Sequence, residues 1–371
     1  MIPLSKPDIT SLEKKYVMDV LDSGKLSLGD KVKEFEGKFK DLLNVSFAVA
    51  MNSGTSALHA AVKALGLTEG DEVITSPYSF IASSNCLLYE GVMPVFVDVH
   101  PDTAVMNEKL IEAAVTEKTK AILVVHIFGH PCNMDKIMEI ALKYDLKVIE
   151  DACEALGATW KGKLAGTFGD AGIFAFYPNK QITTAEGGML VTQKKDLYEV
   201  CASLRNQGRN ISNEWLIHER LGYNYRLSDV HAAIGIGQME RLQEILAKRK
   251  KAADHYRSLI DHHQVPVAYL TEHPDAEISW FVYPVLVPET ADRDEVMKEL
   301  LEKGIQTKPY FPSIHLQAFY KSLFQTKEGD FPCAEMLGKR SLALPFFNDL
   351  KEEEQEFVIA ALKELLTKEQ G

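Results

Sequence analysis

Between about residue 46 and residue 205, short apolar runs rich in β-branched residues alternate with segments of helical periodicity, a rhythm few folds accept. "SFAVAMN" leads into "SALHAAVKALG", "DEVITS" into "YSFIASSNCLLYEG", "MPVFVDV" into "EKLIEAAV", and "AILVVHIF" into "MDKIMEIALKYD". "LKVIED", "AGIFAFY" and "GGMLVTQ" follow. Strands that are hydrophobic without interruption need cover on both faces. The pattern therefore predicts an α/β architecture, a mainly parallel sheet flanked by helices. In such sheets ligands bind outside the carboxyl ends of the strands. Beyond the last of these runs, "SDVHAAIGIGQMERLQEILAKRKKAADHYRSLI" reads as one long helix, kinked near its glycines. "ISWFVYPVLVP", "DEVMKELLEKG" and "KEEEQEFVIAALKELL" then supply a smaller C-terminal α/β domain. The expected division is 1–250 and 251–371, with an N-terminal amphipathic helix packed on one or the other.

Composition narrows the function. The 371 residues carry a formal net charge of -12, which disfavours a nucleic-acid partner held by phosphate contacts. The five cysteines, Cys86, Cys132, Cys153, Cys201 and Cys333, are scattered and odd in number, with no C-x-x-C pair. Neither a disulfide framework nor a metal site is indicated, and each cysteine is expected as a small buried hydrophobe. No run reaches eighteen apolar residues, and the N-terminal segment has no apolar signal core, so neither a membrane span nor export is expected and the cytoplasm is the expected compartment.

Three features fall at strand ends. Ser53-Gly54-Thr55-Ser56 runs from a strand into a helix, where Gly54 allows a tight turn and free N–H groups with hydroxyls suit a phosphate. Taken alone, the same residues read first as an ordinary helix cap. Glu150 and Asp151 close the strand "LKVIED", where an acidic residue can hold a proton on a ligand nitrogen or serve as a helix N-cap or loop ion pair. Lys180 follows "AGIFAFY" among small and hydroxyl residues, an odd setting for a solvated lysine. Each is bland alone. Together, a phosphate cradle, a carboxylate and a lysine at one sheet edge match what pyridoxal phosphate requires for its phosphate, ring nitrogen and aldehyde.

"MNSGTSAL", "SPYSFIASSN", "IEDACEALGA", "FAFYPNKQITTAEGG" and "LGYNYRLSDVHAAIG" occur in that order, and the chain resembles the DegT/DnrJ/EryC1/StrS family of sugar aminotransferases from "IPLSKPDI" to "SLALPFFNDLKEEEQ". The resemblance implies the fold type I, aspartate-aminotransferase-like architecture and pyridoxal 5'-phosphate as cofactor. It implies Lys180 as the lysine that bonds the cofactor and carries the proton, Asp151 at the ring nitrogen, and Glu154 near the ring hydroxyl. Thr55 and Ser56 would hold the phosphate beside Gly54, and Phe80 would stack on the ring. Asn224 would reach the phosphate of a neighbouring subunit, making a homodimer with a shared site. Tyr310 and His315 would border the substrate. Two departures stand out: Ala175 where many relatives carry a phosphate-binding serine, and Ala185 where the usual "TTGEGG" has glycine, which enters φ > 0 more cheaply.

Other residues receive structural readings. His126 lines the pocket or is satisfied at its strand end. His262 and His263 sit in a solvated turn. "AKRKKAADHYR" is a solvated helix face, with Arg226 or Lys248 available to a diphosphate.

The implied reaction is a two-stage transfer of an amino group from an amino acid, glutamate by analogy, to a nucleotide-linked keto-sugar. A dehydrating relative with histidine at the lysine position is disfavoured by Lys180. A non-catalytic regulator on the same scaffold is the alternative.

Overall fold

A computed structural model describes residues 1–210 and 217–368. Its centre is a seven-stranded sheet of β1 (Phe47–Met51), β2 (Glu72–Thr75), β3 (Met93–Phe96), β4 (Thr119–Val125), β5 (Lys147–Asp151), β6 (Ala171–Ala175) and β7 (Gly188–Thr192). The order across the sheet is β1-β7-β6-β5-β4-β2-β3. β2 to β6 are parallel, β7 runs against β6, and β1 runs against β7. The carboxyl ends of six strands and the start of β7 thus share one edge. The continuous apolar runs are buried on both faces, as β4 shows with Ala121, Ile122, Leu123 and Val124 fully covered.

α1 (Ser11–Ser23) opens on a capping box between Thr10 and Glu13, which satisfies two orphan N-terminal donors. α2 (Asp30–Leu43) buries Phe35 and Phe39 on the sheet, α3 (Gly54–Ala64) follows β1, and α4 (Ala82–Leu88) follows β2. The expected single long helix is two, α5 (Asp229–Glu240) and α6 (Leu242–His263), parted at Arg241. Its glycines are not the kink. A Cβ on Gly235 would sit 2.6 Å from the Phe35 ring, so that glycine lets α2 approach. At the break the Arg241 guanidinium reaches Asp8 (2.8 Å) and Glu13 (2.9 Å), tying the N-terminal segment and α1 onto α5.

A second core gathers residues from Ala252 to Leu366, among them Tyr256, Tyr283, Leu344 and Ile359. It includes a three-stranded antiparallel sheet of Ala268–Tyr269, Tyr283–Leu286 and Ser341–Leu344. No described helix is long and apolar enough to cross a membrane.

Candidate active site

At the shared edge of the sheet the strand ends surround a cavity of about 490 Å³. Ser53, Gly54 and Thr55 line it at the start of α3. The Ser53 hydroxyl accepts the Ser56 N–H (3.0 Å), an ordinary N-cap that leaves the first-turn donors facing outward. Ser56 itself turns away, its hydroxyl donating to Asn52 Oδ1 (2.7 Å), and it is not on the cavity wall. A Cβ on Gly54 would fall 2.7 Å from Ala175 Cβ and 3.1 Å from Cys153 Sγ, so only glycine lets β6 pass this close. Ala175 therefore sits beside the α3 N-terminus, where a serine would bring a hydroxyl.

The alternation of β5 sends its two terminal carboxylates to opposite sides. Glu150 is fully buried and accepts the N–H groups of Gly166 (2.8 Å), Phe168 (2.6 Å) and Gly169 (2.7 Å). His126 Nδ1 accepts the Cys132 N–H, which leaves its Nε2–H to donate to Glu150 (3.0 Å). His126 is thus a satisfied interior residue and no part of the cavity wall. Asp151 faces the cavity. Its Oδ2 accepts from Ser83 Oγ (2.7 Å) and its Oδ1 from the Cys153 N–H (3.1 Å).

Lys180 is the one cation among the described residues that line the cavity. Its Nζ is 3.2 Å from Glu154 Oε1 and 3.9 Å from the centroid of the Phe281 ring. Glu154 Oε2 accepts the Phe128 N–H (2.8 Å). Burial pushes the Glu154 carboxyl above its ordinary range, and the nearby Lys180 ammonium pulls the other way. Phe80, 58% exposed, stands at the rim, and Tyr310 lies deeper on the same wall.

The structure thus brings Gly54, Thr55, Phe80, Asp151, Glu154, Lys180 and Tyr310 to one cavity. It does not bring Asn224 or His315 there. Asn224 is exposed, away from this wall. His315 is fully buried, bonded through Nε2 to Glu335 (3.0 Å) and packed on Phe331, because it lies in a short helical turn whose side chains face the interior. Lys248 is held by Glu244, Asp349 and Asp8, so the expected diphosphate contact has no free ammonium. Arg226 donates to Asn206 Oδ1 (3.0 Å). Cys153 is half-buried on the cavity wall, unlike the interior Cys86, Cys132 and Cys201. Sequence reasoning missed Ser83 and Phe281. The hydroxyl spacing in "SPYSFIASSN" holds a signal for Ser83; nothing local marks Phe281.

These groups fit pyridoxal phosphate. The Ser53, Gly54 and Thr55 backbone lines the cavity at a helix N-terminus, the Asp151 carboxylate faces inward, and the Lys180 amine stands against an aromatic ring. The volume lies within the roughly 300–1,000 Å³ of small-molecule sites. Among the described residues no cluster of His, Cys, Asp or Glu could hold a metal ion.

Comparison with known proteins agrees. Residues 7–363 match the profile of the DegT/DnrJ/EryC1/StrS aminotransferase family. The chain is 39% identical to GDP-perosamine synthase of Escherichia coli O157:H7, over 98% of each chain. It is 37% identical to a pleiotropic regulatory protein of Geobacillus stearothermophilus, over 95% of this chain and 94% of that one. Among solved structures, Helicobacter pylori PseC, an aminotransferase involved in the biosynthesis of pseudoaminic acid, superposes with a TM-score of 0.94. It is 28% identical over 99% of both chains.

Proposed function

Because the chain belongs to the DegT/DnrJ/EryC1/StrS aminotransferase family and is a pyridoxal-phosphate-dependent sugar aminotransferase, we propose that it moves the amino group of glutamate onto a keto-sugar carried on a nucleotide, in the cytoplasm. The observation that carries this reading is the meeting of Lys180, Asp151 and the α3 N-terminus on one cavity.

Gly54 and Thr55, with Ser53, would hold the cofactor phosphate; Ser56 supports that turn from behind through Asn52. Asp151 would hold the ring nitrogen, Phe80 the ring face, Glu154 the ring hydroxyl, and Lys180 the aldehyde carbon. When bound, the cofactor supplies a carbon that takes up an amino group and a ring that accommodates an electron pair. The chain supplies the rest. Asp151, aimed by Ser83, keeps a proton on the ring nitrogen. The Lys180 amine takes the proton from the Cα of glutamate and returns one to the sugar carbon in the second stage. Phe281, Phe311 and Tyr310 wall the cavity on the side away from the sheet and exclude water.

A nucleotide-linked sugar is supported by the GDP-sugar enzyme that the chain is similar to. Asn224, exposed and outside its own cavity, is free to face a second copy of the chain, which supports a homodimer with a shared site. Within each subunit, 1–250 and 251–371 are proposed as the two domains, in keeping with the separate core of Ala252 to Leu366.

The test is an absorbance spectrum of the loaded protein from about 300 to 500 nm, before and after excess glutamate. A band near about 420 nm that moves to about 330 nm supports the reading. The amino-charged protein is then offered nucleotide keto-sugars, and release of a nucleotide amino-sugar completes it. Likeness to a pleiotropic regulatory protein favours a second reading, a regulator without turnover. A band that glutamate leaves unmoved would favour that one.

A further inference from the structure

Arg249, in α6, lies in a run that reads as a solvated face, yet it is 3% exposed. Among the described residues no carboxylate pairs with it. Its Nε donates to the Trp280 carbonyl (2.7 Å), its Nη2 to the Phe281 carbonyl (2.6 Å), and its Nη1 to Asn348 Oδ1 (3.0 Å). Burial lowers its guanidinium to about 10. A buried cation without a carboxylate is expensive, and helix packing alone does not call for one.

What the fork holds explains its presence. Trp280 has φ +49, a left-handed conformation that a bulky residue adopts only under constraint. Phe128, facing it, also has a positive φ, +57, and its carbonyl accepts the Phe281 N–H (3.1 Å). The Phe128 N–H in turn goes to Glu154. Phe281 is therefore fixed on both sides of its backbone, and its ring lies 3.9 Å from Lys180 Nζ. The planar guanidinium meets two successive carbonyls with two separate N–H groups in a fixed fork.

We propose that Arg249 is a positioning residue for the reacting amine: by forking the Trp280 and Phe281 carbonyls it fixes the Phe281 ring against Lys180, and the ring sets where that amine stands and offers its face to it. The inference rests on Lys180 as the reacting amine. Among the described residues, the other titratable groups that line the cavity with Lys180 are Glu154, Asp151, Cys153, Glu186, Tyr177 and Tyr310, all untouched by the variants below.

The experiment uses the unloaded full chain. The pH profile of Lys180 acetylation by acetic anhydride is followed by peptide mass spectrometry for F281L, R249M, R249K and R249M/F281L, with melting temperatures on the same samples. An aromatic face favours the ammonium, so its loss moves the profile to lower pH by roughly half a unit. F281L and R249M should each do so, and the double variant should go no further than F281L alone. R249K should follow R249M, because a single ammonium does not reproduce the two separate N–H positions of Nε and Nη2. A profile moved to higher pH by R249M and unmoved by R249K would mean that the guanidinium acts only as a nearby charge. Lower melting temperatures with unmoved profiles would reduce Arg249 to a packing role. Additive shifts would separate it from Phe281. Each of those results overturns the proposal. A missing cofactor band would defeat the reading of the previous subsection and leave this measurement intact.

Discussion

Ser83 Oγ donates a 2.7 Å hydrogen bond to Asp151 Oδ2, so a carboxylate at the end of β5 is aimed by the first turn of α4, which follows β2 two strands away. Ser83 shares a further 2.8 Å contact with Ser79 Oγ, which makes the aim part of a short chain of hydroxyls. Asp151→Asn keeps the shape and an acceptor for Ser83 but loses the charge. We expect the fold to survive, with a change of about 1 kcal/mol or less, while transamination falls a hundredfold or more. Ser83→Ala leaves the charge and should cost roughly tenfold. Single-turnover rates with melting curves measure both, and an active Asp151→Asn would remove Asp151 from the chemistry.

Ala175 gives a constructive prediction. Its Cβ adjoins Gly54, so Ala175→Ser places a hydroxyl at the α3 N-terminus. One hydrogen bond to a charged oxygen is worth about 1.5 kcal/mol, and the Kd for pyridoxal phosphate should fall about tenfold by titration calorimetry. An unchanged Kd would place the phosphate elsewhere.

Ala185 adopts φ +68 on an exposed loop, with its N–H donated to Thr183 Oγ1 (2.9 Å). The left-handed turn is thus kept although a methyl strains it. Ala185→Gly removes the strain and gives back part of the gain through the freer unfolded chain. A net stabilisation of about 0.5 kcal/mol, or roughly 1–2 °C, is expected by calorimetry. A lower melting temperature would mean the alanine methyl makes contacts worth more than the strain.

Two buried groups give opposite pH signs. His130 donates from Nδ1 to the Pro131 carbonyl (2.9 Å) and accepts the His273 N–H at Nε2 (3.2 Å), and burial lowers it from 6.5 to about 4. The unfolded chain protonates first, so this contribution is complete above pH 6.5 and is lost as pH falls towards 4, by about 3 kcal/mol in all. Glu154 is raised from 4.5, so its contribution is present below 4.5 and is lost as pH climbs through the raised value. Melting temperatures from pH 4 to 8 should fall less on the acid side for His130→Gln, and less with rising pH for Glu154→Gln. Variants that track the parent chain at every pH would refute these assignments.

Much of this was legible in the chain itself. Lys180, Asp151, Gly54 and Thr55 sit where apolar runs stop, and a parallel sheet gathers such ends on one edge. Ser56 was half legible: the motif marks the turn, but only the N-cap geometry decides that Ser53 faces the cavity and Ser56 does not. Arg249 was not legible, because it stands in the basic run "KRKK" and which helical position turns inward depends on packing against Trp280 and Phe281. His315 was misplaced for the reverse reason, since a histidine near a motif looks functional until Glu335 and Phe331 enclose it. The helix parts at Arg241 rather than at a glycine, and the guanidinium there holds Asp8 and Glu13, more than two hundred residues earlier, a pairing no local pattern announces.

The back-to-back carboxylates of β5 carry a consequence for how this chain tolerates change. Glu150 staples the 166–169 loop through three N–H groups, while its immediate neighbour faces the cavity. Parity along the strand decides which is which. Inserting or deleting one residue in "LKVIED" would exchange the two, leaving a longer side chain in the cavity and a shorter one beneath a loop it cannot reach. Folding and chemistry would fail together, so a length change here has no intermediate form that keeps one and loses the other. Diversity in such a chain is therefore expected to accumulate in the loops beyond the strand, with the frame of β5 inherited intact.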